Sequence, residues 1–396
     1  MRVTRVGVVG AGTMGRGIAQ LAALGGYETV LYDVAPDLAA AGAEGLREAL
    51  AKGVARRRWS EDEGRAASAR VEATADLGEL AGCALVIEAA PEKLELKQQI
   101  FSDLAAQLGP DAVFASNTSS LRVGDIAAGV PHPERVVGMH FFNPPPLMKL
   151  VEVVAAEGSS NQALAATTAV AQQMGRTPIR AKDSPGFVAN RLARPFSLES
   201  LRMLGDGVAD VATIDRVVRL GGGFRMGPFE LLDLIGLDVN LEIARSFFAQ
   251  GGEPERWRPH PIQERLVAEG RFGRKSGRGY HDYSEEREPD PELGIDAPTL
   301  DPKHLAKIDP AAEQILTRLF AQIANEAAFA LEEEIASPED METAMKLGFN
   351  WPLGPLGFAE LIGPDRAADL LEELQAEKGE AYSPAPALRR IISSST

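Results

Sequence analysis

The sequence predicts an α/β domain on a mainly parallel sheet, followed by two tandem all-α domains. Three observations predict it. Residues 1–183 alternate short β-branched runs with helical stretches, the texture of strands joined through helices. From about residue 187 helical periodicity dominates and strand-like runs nearly vanish. A shift of 127 positions then lays "IDRVVRLGGGFRMGPFELLDLIGLD" (214–238) on "METAMKLGFNWPLGPLGFAELIGPD" (341–365) with eight identities in twenty-five, so the helical domain occurs twice.

Taken in order, "VTRVGVVG", "YETVLYD", "CALVIEAA", "DAVFASN", "ERVVGMHFF" and "MKLVEVVAA" read as strands. A long helical pair at about 35–68 follows the second of them as an inserted arm. The first helical domain spans 184–284. Residues 285–302 carry four prolines and seven carboxylates in eighteen positions, too few apolar side chains to pack and too many prolines for a helix, and read as a linker. The second helical copy covers 303–396. The same shift puts Arg191 on Arg318 and Glu199 on Glu326, but Asn190 on Thr317. Any chemistry at Asn190 therefore belongs to the first copy alone.

The bulk properties exclude several classes. A chain of 396 residues with 45% hydrophobic and 25% charged residues has the make-up of a globular protein of two or three domains. Its net charge of −16 repels nucleic acid and acidic membrane surfaces. A lone cysteine, Cys83, sits in an apolar run and reads as a small buried hydrophobe. The chain enters a strand pattern at once, and no window has the apolar length of a membrane helix. A cytoplasmic protein is expected.

"VGVVGAGTMGRGIAQ" sets Gly10, Gly12 and Gly15 in the G-x-G-x-x-G spacing directly after a strand and at the start of a helix. The first glycine allows the tight turn, the second admits a pyrophosphate and the third lets helix and strand pack closely. Thr13 and Met14 complete the loop. Asp33 ends the second strand, where a carboxylate accepts hydrogen bonds from a ribose 2′-hydroxyl and repels a 2′-phosphate. The following "VAPD" holds no arginine, so the Rossmann-type domain is expected to bind NAD rather than NADP.

In "GMHFFNPPPLMKLVEVV" (138–154) His140 ends one strand and Glu152 lies in the next. The Asn-Pro-Pro-Pro segment is a stiff connector that lets the two side chains meet. A carboxylate on one imidazole nitrogen fixes the tautomer and leaves the other nitrogen as a general base. Asn117 and Ser119 in "ASNTSSL" lie just past a strand's C-terminal end, the ligand edge of an open α/β sheet. "DSPGFVANR" carries Asn190 onto the first helix of the second domain.

With these motifs the sequence resembles the L-3-hydroxyacyl-CoA dehydrogenase family, in particular bacterial members acting on 3-hydroxybutyryl-CoA that carry a duplicated C-terminal domain. "GAGTMGRGIA", "SNTSSL", "HFFNPPPLMKLVEV", "KDSPGFVANR", "GPFELLDLIGLD" and "FGRKSGRGYHDY" occur in the family's order over nearly the whole chain. The resemblance implies that His140 is the acid/base, Glu152 its orienting partner, and Ser119 and Asn190 hydrogen-bond donors to the substrate's reacting oxygens. It further implies that Glu92, Lys97, Asn117, Ser119, Asn143 and Lys275 lie near the cofactor. The implied reaction passes hydride from C3 of a 3-hydroxyacyl-CoA to NAD⁺.

Coenzyme A would need a local basic patch on so acidic a chain, and Lys52, Arg56, Arg57 and Arg58 in "KGVARRRW" supply one on the arm. The competing reading is a solvated helix face. His132, His260, His281 and His304 have no metal-ligand spacing with one another or with Cys83, so no metal site is expected. Trp59, Trp257 and Trp351 read as packing residues. The resemblance implies dimers built through the helical domain in two-domain members, so the second copy is expected to be structural and to make a pseudo-dimer within one chain; another interface for the repeat and further homo-oligomerisation are left open. A dehydrogenase of a free hydroxy acid, of gulonate type, and a non-catalytic NAD-binding protein are the alternatives.

Overall fold

The computed structural model describes residues 2–284 and 298–391. The chain divides into two compact units, Met1–Phe187 and Val188–Thr396. Of the expected linker, residues 285–297 lie outside the described residues.

The first unit is built on an eight-stranded sheet: β1 (Arg5–Val9), β2 (Glu28–Tyr32), β3 (Val71–Thr74), β4 (Leu85–Glu88), β5 (Val113–Ser116), β6 (Val136–Phe141), β7 (Leu150–Ala155) and β8 (Thr177–Lys182). Its order is β3-β2-β1-β4-β5-β6-β7-β8, parallel throughout except where β7 runs antiparallel to β6. The helices are α1 (Thr13–Leu24), α2 (Pro36–Ala55), α3 (Glu61–Ala69), α4 (Leu94–Gln107), α5 (Val123–Ala128) and α6 (Asn161–Gln173). The central strands are buried on both faces: Val6, Val8, Leu85, Val86, Ile87 and Phe114 have no exposed surface. Such strands read as continuous apolar runs, which is why they are visible in the sequence.

β3 and β8 escape that reading. Both are edge strands, with half their residues facing outward. Their apolar signal is correspondingly thin, and β8 carries Pro178, which only an edge tolerates. The strand order reverses between β1 and β4, so loops leaving their C-terminal ends diverge and open a crevice. Connection of β6 to β7 through the proline segment puts His140 directly opposite Glu152 in the antiparallel register.

The arm is the α2–α3 pair. Ser60 and Glu63 form a reciprocal capping box at the start of α3, and the Trp59 indole packs so tightly on Gly53 that a Cβ there would overlap the ring. Trp59 also donates from Nε1 to the Leu50 carbonyl at 3.0 Å. Arg56, Arg57 and Arg58 belong to neither helix: they form the turn between them, all exposed, with Arg57 at φ 56°.

The second unit comprises α7 (Ala189–Leu192), α8 (Arg194–Gly205), α9 (Val211–Leu220), α10 (Pro228–Ile235), α11 (Leu237–Gln250), α12 (Pro261–Ala268), α13 (Pro302–Leu305), α14 (Ala312–Glu332), α15 (Pro338–Gly348), α16 (Pro355–Ile362) and α17 (Pro364–Lys378). The 127-residue shift superposes α10 on α16 end to end, and α9 and α11 on α15 and α17. The two copies share local devices. Asp210 and Ser337, equivalent positions, cap α9 and α15. Asp215 accepts from the Phe229 and Glu230 amides at the start of α10, and its equivalent Glu342 accepts from Leu356 and Gly357 at the start of α16.

The copies meet crosswise. Arg191 Nε donates to Glu326 at 2.7 Å and Arg318 Nε to Glu199 at 2.8 Å, so each arginine reaches the acid equivalent to the other's partner. A reciprocal contact of this kind is the mark of an isologous, approximately twofold interface. Trp257 and Trp351 are buried, one against Phe247 and the other among Phe196, Phe224 and Phe358.

Candidate active site

The glycine loop leaves β1 with Gly10 at φ +97°, and its amide donates to the Tyr32 carbonyl at 2.8 Å. A Cβ on Gly15 would overlap the Gly10 carbonyl oxygen, whereas nothing lies within 4 Å of one on Gly12. The third glycine is thus needed for packing, and the second faces open space at the N-terminus of α1, beside exposed Thr13 and partly buried Met14. Free N–H groups and the helix dipole favour a pyrophosphate there. Asp33 Oδ2 accepts from the Ala11 amide at 2.8 Å. The carboxylate therefore braces the glycine loop with one of its oxygens. These residues fit a bound dinucleotide.

Beyond β4 lies a buried polar network that the sequence reading missed at its centre. Glu88 has no exposed surface, and it accepts from Lys97 Nζ at 2.7 Å, the Ala90 amide at 2.6 Å and the Ser116 hydroxyl at 2.7 Å. The available signal was a carboxylate in the otherwise apolar "LVIE" of a central strand, since a buried acid needs partners. Lys97, only 1% exposed, also reaches Glu92 at 3.2 Å. The expectation that Lys97 itself lies against the cofactor thus meets an ammonium enclosed by two carboxylates. Glu92 Oε1 gathers the Thr118 hydroxyl (2.5 Å) and the Ser119 and Ser120 amides (3.0 Å each). Burial opposes its charge, but Lys97 and the hydrogen bonds from Thr118 and Ser120 outweigh burial and hold the carboxyl at about 2. The network fixes the loop that presents the exposed Ser119.

Asn117 Oδ1 accepts from the Phe141 amide at 2.9 Å, tying the end of β5 to β6 one residue past His140. His140 Nδ1 lies 2.6 Å from Glu152 Oε2, both side chains buried. A carboxylate can only accept, so Nδ1 carries the proton and Nε2 presents a lone pair. Phe142 and Phe187 lie beside the imidazole at 4.7 and 5.8 Å between centroids, an apolar setting that the motif alone did not announce. Asn143, in the connector, is exposed. Cys83 stays apart from all of this: burial pushes its thiol up to about 11.

In the second unit Asn190 is partly exposed on α7. Lys275 lies in the 271–284 segment with its ammonium 2.6 Å from Asp238. That segment is pinned by Asp233, which accepts from the Tyr280 and His281 amides and the Tyr283 hydroxyl at 2.8–3.0 Å. His281 Nε2 lies 2.6 Å from Asp215. Asp215, Glu230 and His281 offer ligand atoms within 4.8 Å of one another, but backbone amides and Arg219 already occupy the carboxylates, and the cluster works as an anchor for the segment.

A Rossmann-type domain with a carboxylate after its second strand, and a buried cross-strand His–Glu pair, define the class of an NAD-dependent oxidoreductase. Comparison with known proteins agrees. The family model described as 3-hydroxyacyl-CoA dehydrogenase, NAD binding domain, matches residues 5–184, and that of the C-terminal domain matches 186–283 and again 315–396. The chain is similar to 3-hydroxyadipyl-CoA dehydrogenase of Escherichia coli K12, 34% identical over 98% of each chain. It is 40% identical to 3-hydroxybutyryl-CoA dehydrogenase of Bradyrhizobium diazoefficiens over 71% of this chain and 96% of that one. The crystal structure of 3-hydroxybutyryl-CoA dehydrogenase from Escherichia coli K12 superposes with a TM-score of 0.89 at 34% identity, covering 100% of this chain and 99% of that one. The chain belongs to the 3-hydroxyacyl-CoA dehydrogenase family, with one NAD-binding domain and two tandem copies of the C-terminal domain. No helix among the described residues is long and apolar enough to cross a membrane.

Proposed function

We propose that the protein interconverts (S)-3-hydroxyacyl-CoA and 3-oxoacyl-CoA, with the 3-hydroxybutyryl/acetoacetyl pair among its substrates. Bound NAD⁺ supplies the hydride acceptor. His140 Nε2 takes the proton of the C3 hydroxyl, and Glu152 holds the Nδ1–H side of the ring so that the accepting lone pair keeps its aim. Ser119 and Asn190 hydrogen-bond the substrate oxygens, and Asn117, Glu92, Asn143 and Lys275 serve the nicotinamide ribose and its surroundings. Lys97 acts through Glu92. Arg56, Arg57 and Arg58, exposed and without a carboxylate partner among the described residues, receive coenzyme A phosphates. The second helical copy is structural and makes a pseudo-dimer within one chain; a reducing cytoplasm suits the single buried thiol.

The observation that carries this reading is the 2.6 Å contact of two buried, register-paired side chains, His140 and Glu152. The full-length Escherichia coli relatives are named for a four-carbon and for a six-carbon dicarboxylyl thioester, and the two acyl groups share the atoms this site addresses. Loss of NADH absorbance with acetoacetyl-CoA, set against free acetoacetate and against NADPH, tests the proposal. Turnover of the thioester with NADH preferred is expected; turnover of the free acid would move the assignment to a hydroxy-acid dehydrogenase.

A further inference from the structure

We propose that Arg194 receives a carboxylate at the far end of the acyl chain, so that the preferred substrate is a 3-hydroxy-dicarboxylyl-CoA. The inference rests on the thioester reading above and deepens it.

Arg194 follows Asn190 by four residues, and Ala193 between α7 and α8 is helical (φ −80°, ψ −13°). The two side chains thus leave one helix on neighbouring turns, about 6 Å apart along its axis. Two methylenes between C3 and a terminal carboxylate span a comparable distance.

The guanidinium has no ion-pair or hydrogen-bond partner among the described residues, and its Nε is buried and unpaired. It rests only on the face of Phe247, 5.4 Å from the ring centroid. Its neighbours are differently placed: Arg191 is held by Glu326 and Glu333, and Arg202 by Glu199. A chain with sixteen more negative than positive charges has carboxylates to spare, so a half-buried arginine left without one is built to meet an anion from outside. Burial brings Arg194 down to about 10, as it does for a desolvated guanidinium with no acid beside it.

The surface next to it suits an aliphatic chain. On α11, Val239, Ile243 and Phe247 succeed one another at four-residue intervals, the first two 45% and 42% exposed and the third lying under Arg194. An apolar track ending in a cation complements a methylene chain ending in an anion.

The second copy is an internal control. There the positions of Asn190, Arg194 and Val239 hold Thr317, Ala321 and Arg366, and Arg366 is paired with Glu313. Arg191 and Glu199 do have counterparts, Arg318 and Glu326. The interface pairs are thus kept in both copies, and two of the track's three positions stay apolar as Leu370 and Leu374, while the unpaired cation occurs only beside Asn190.

The test compares two six-carbon thioesters that differ only at the tail, 3-hydroxyadipyl-CoA and 3-hydroxyhexanoyl-CoA, by NADH formation with the full chain and with Arg194→Met and Arg194→Lys. A charge-assisted hydrogen bond predicts that wild type favours the dicarboxylyl substrate by about 10- to 100-fold in kcat/KM. Arg194→Met collapses that ratio through a raised KM for the dicarboxylyl thioester, and Arg194→Lys keeps part of it. Equal use of the two thioesters by wild type, or a preference that survives in Arg194→Met, overturns the inference and leaves the dehydrogenase reading intact. If Arg194→Met does not fold, the wild-type ratio and its partial retention in Arg194→Lys still decide. Turnover of neither thioester would overturn both.

Discussion

His140 and Glu152 meet because strand register places them opposite one another, and Asp33 stands beside the glycine loop because β2 ends just before it. Residues of this kind are legible in a sequence, since strand, spacing and residue type agree. Asp33 also holds the Ala11 amide, so Asp33→Ser should raise the KM for NADH about 10- to 100-fold, the worth of a hydrogen bond to a charged group, and narrow the preference over NADPH. Steady-state kinetics with both cofactors checks this; an unchanged preference would remove Asp33 from the ribose. Glu88 and Arg194 were not legible for opposite reasons. The acid hides in an apolar strand because its partner Lys97 approaches through the fold, and the arginine looks like an ordinary surface charge until its lack of a counter-ion is seen.

At the scale of elements, the loops after β4 and β5 are held together by Glu92. Its carboxyl lies at about 2 against an ordinary 4.5, so its contribution to stability is fully present above about pH 4.5 and is lost as pH falls toward 2. Glu92→Gln should therefore flatten the decline of Tm between pH 5 and pH 3 relative to wild type; parallel declines in thermal scans would contradict the network. The arm's turn makes a second prediction. Replacing Arg56, Arg57 and Arg58 together by Gln should raise the KM for the thioester well above any change in the KM for NADH, and equal effects would count against a coenzyme A contact. The arm was legible as a helical pair. That its arginines form the turn was not, because "ARRRW" lacks a glycine or proline to mark the break and Arg57 takes the left-handed conformation itself.

On the scale of the whole molecule, the repeat was legible from a shift of 127 positions, which identifies equivalent residues. It does not say which residues touch, and the crosswise pairs Arg191–Glu326 and Arg318–Glu199 emerge only from packing. Arg318 is nearly enclosed, and with it gone Glu199 would stay buried without its main counter-ion, so Arg318→Ala should cost about 3–5 kcal/mol, read as a lower midpoint in urea unfolding. Deletion after residue 284 should uncover the surface that α14 covers with Leu316, Leu319, Phe320 and Ile323, all buried, and drive aggregation or dimerisation in sedimentation; a fully active monomer would contradict the pseudo-dimer.

The proposed reaction turns on proton transfer through the His140–Glu152 pair. The most direct measurement is kcat for acetoacetyl-CoA reduction by His140→Ala, with the fold verified by circular dichroism. A loss of about 10²- to 10⁴-fold is expected. A folded His140→Ala protein turning over within a few-fold of wild type would contradict it.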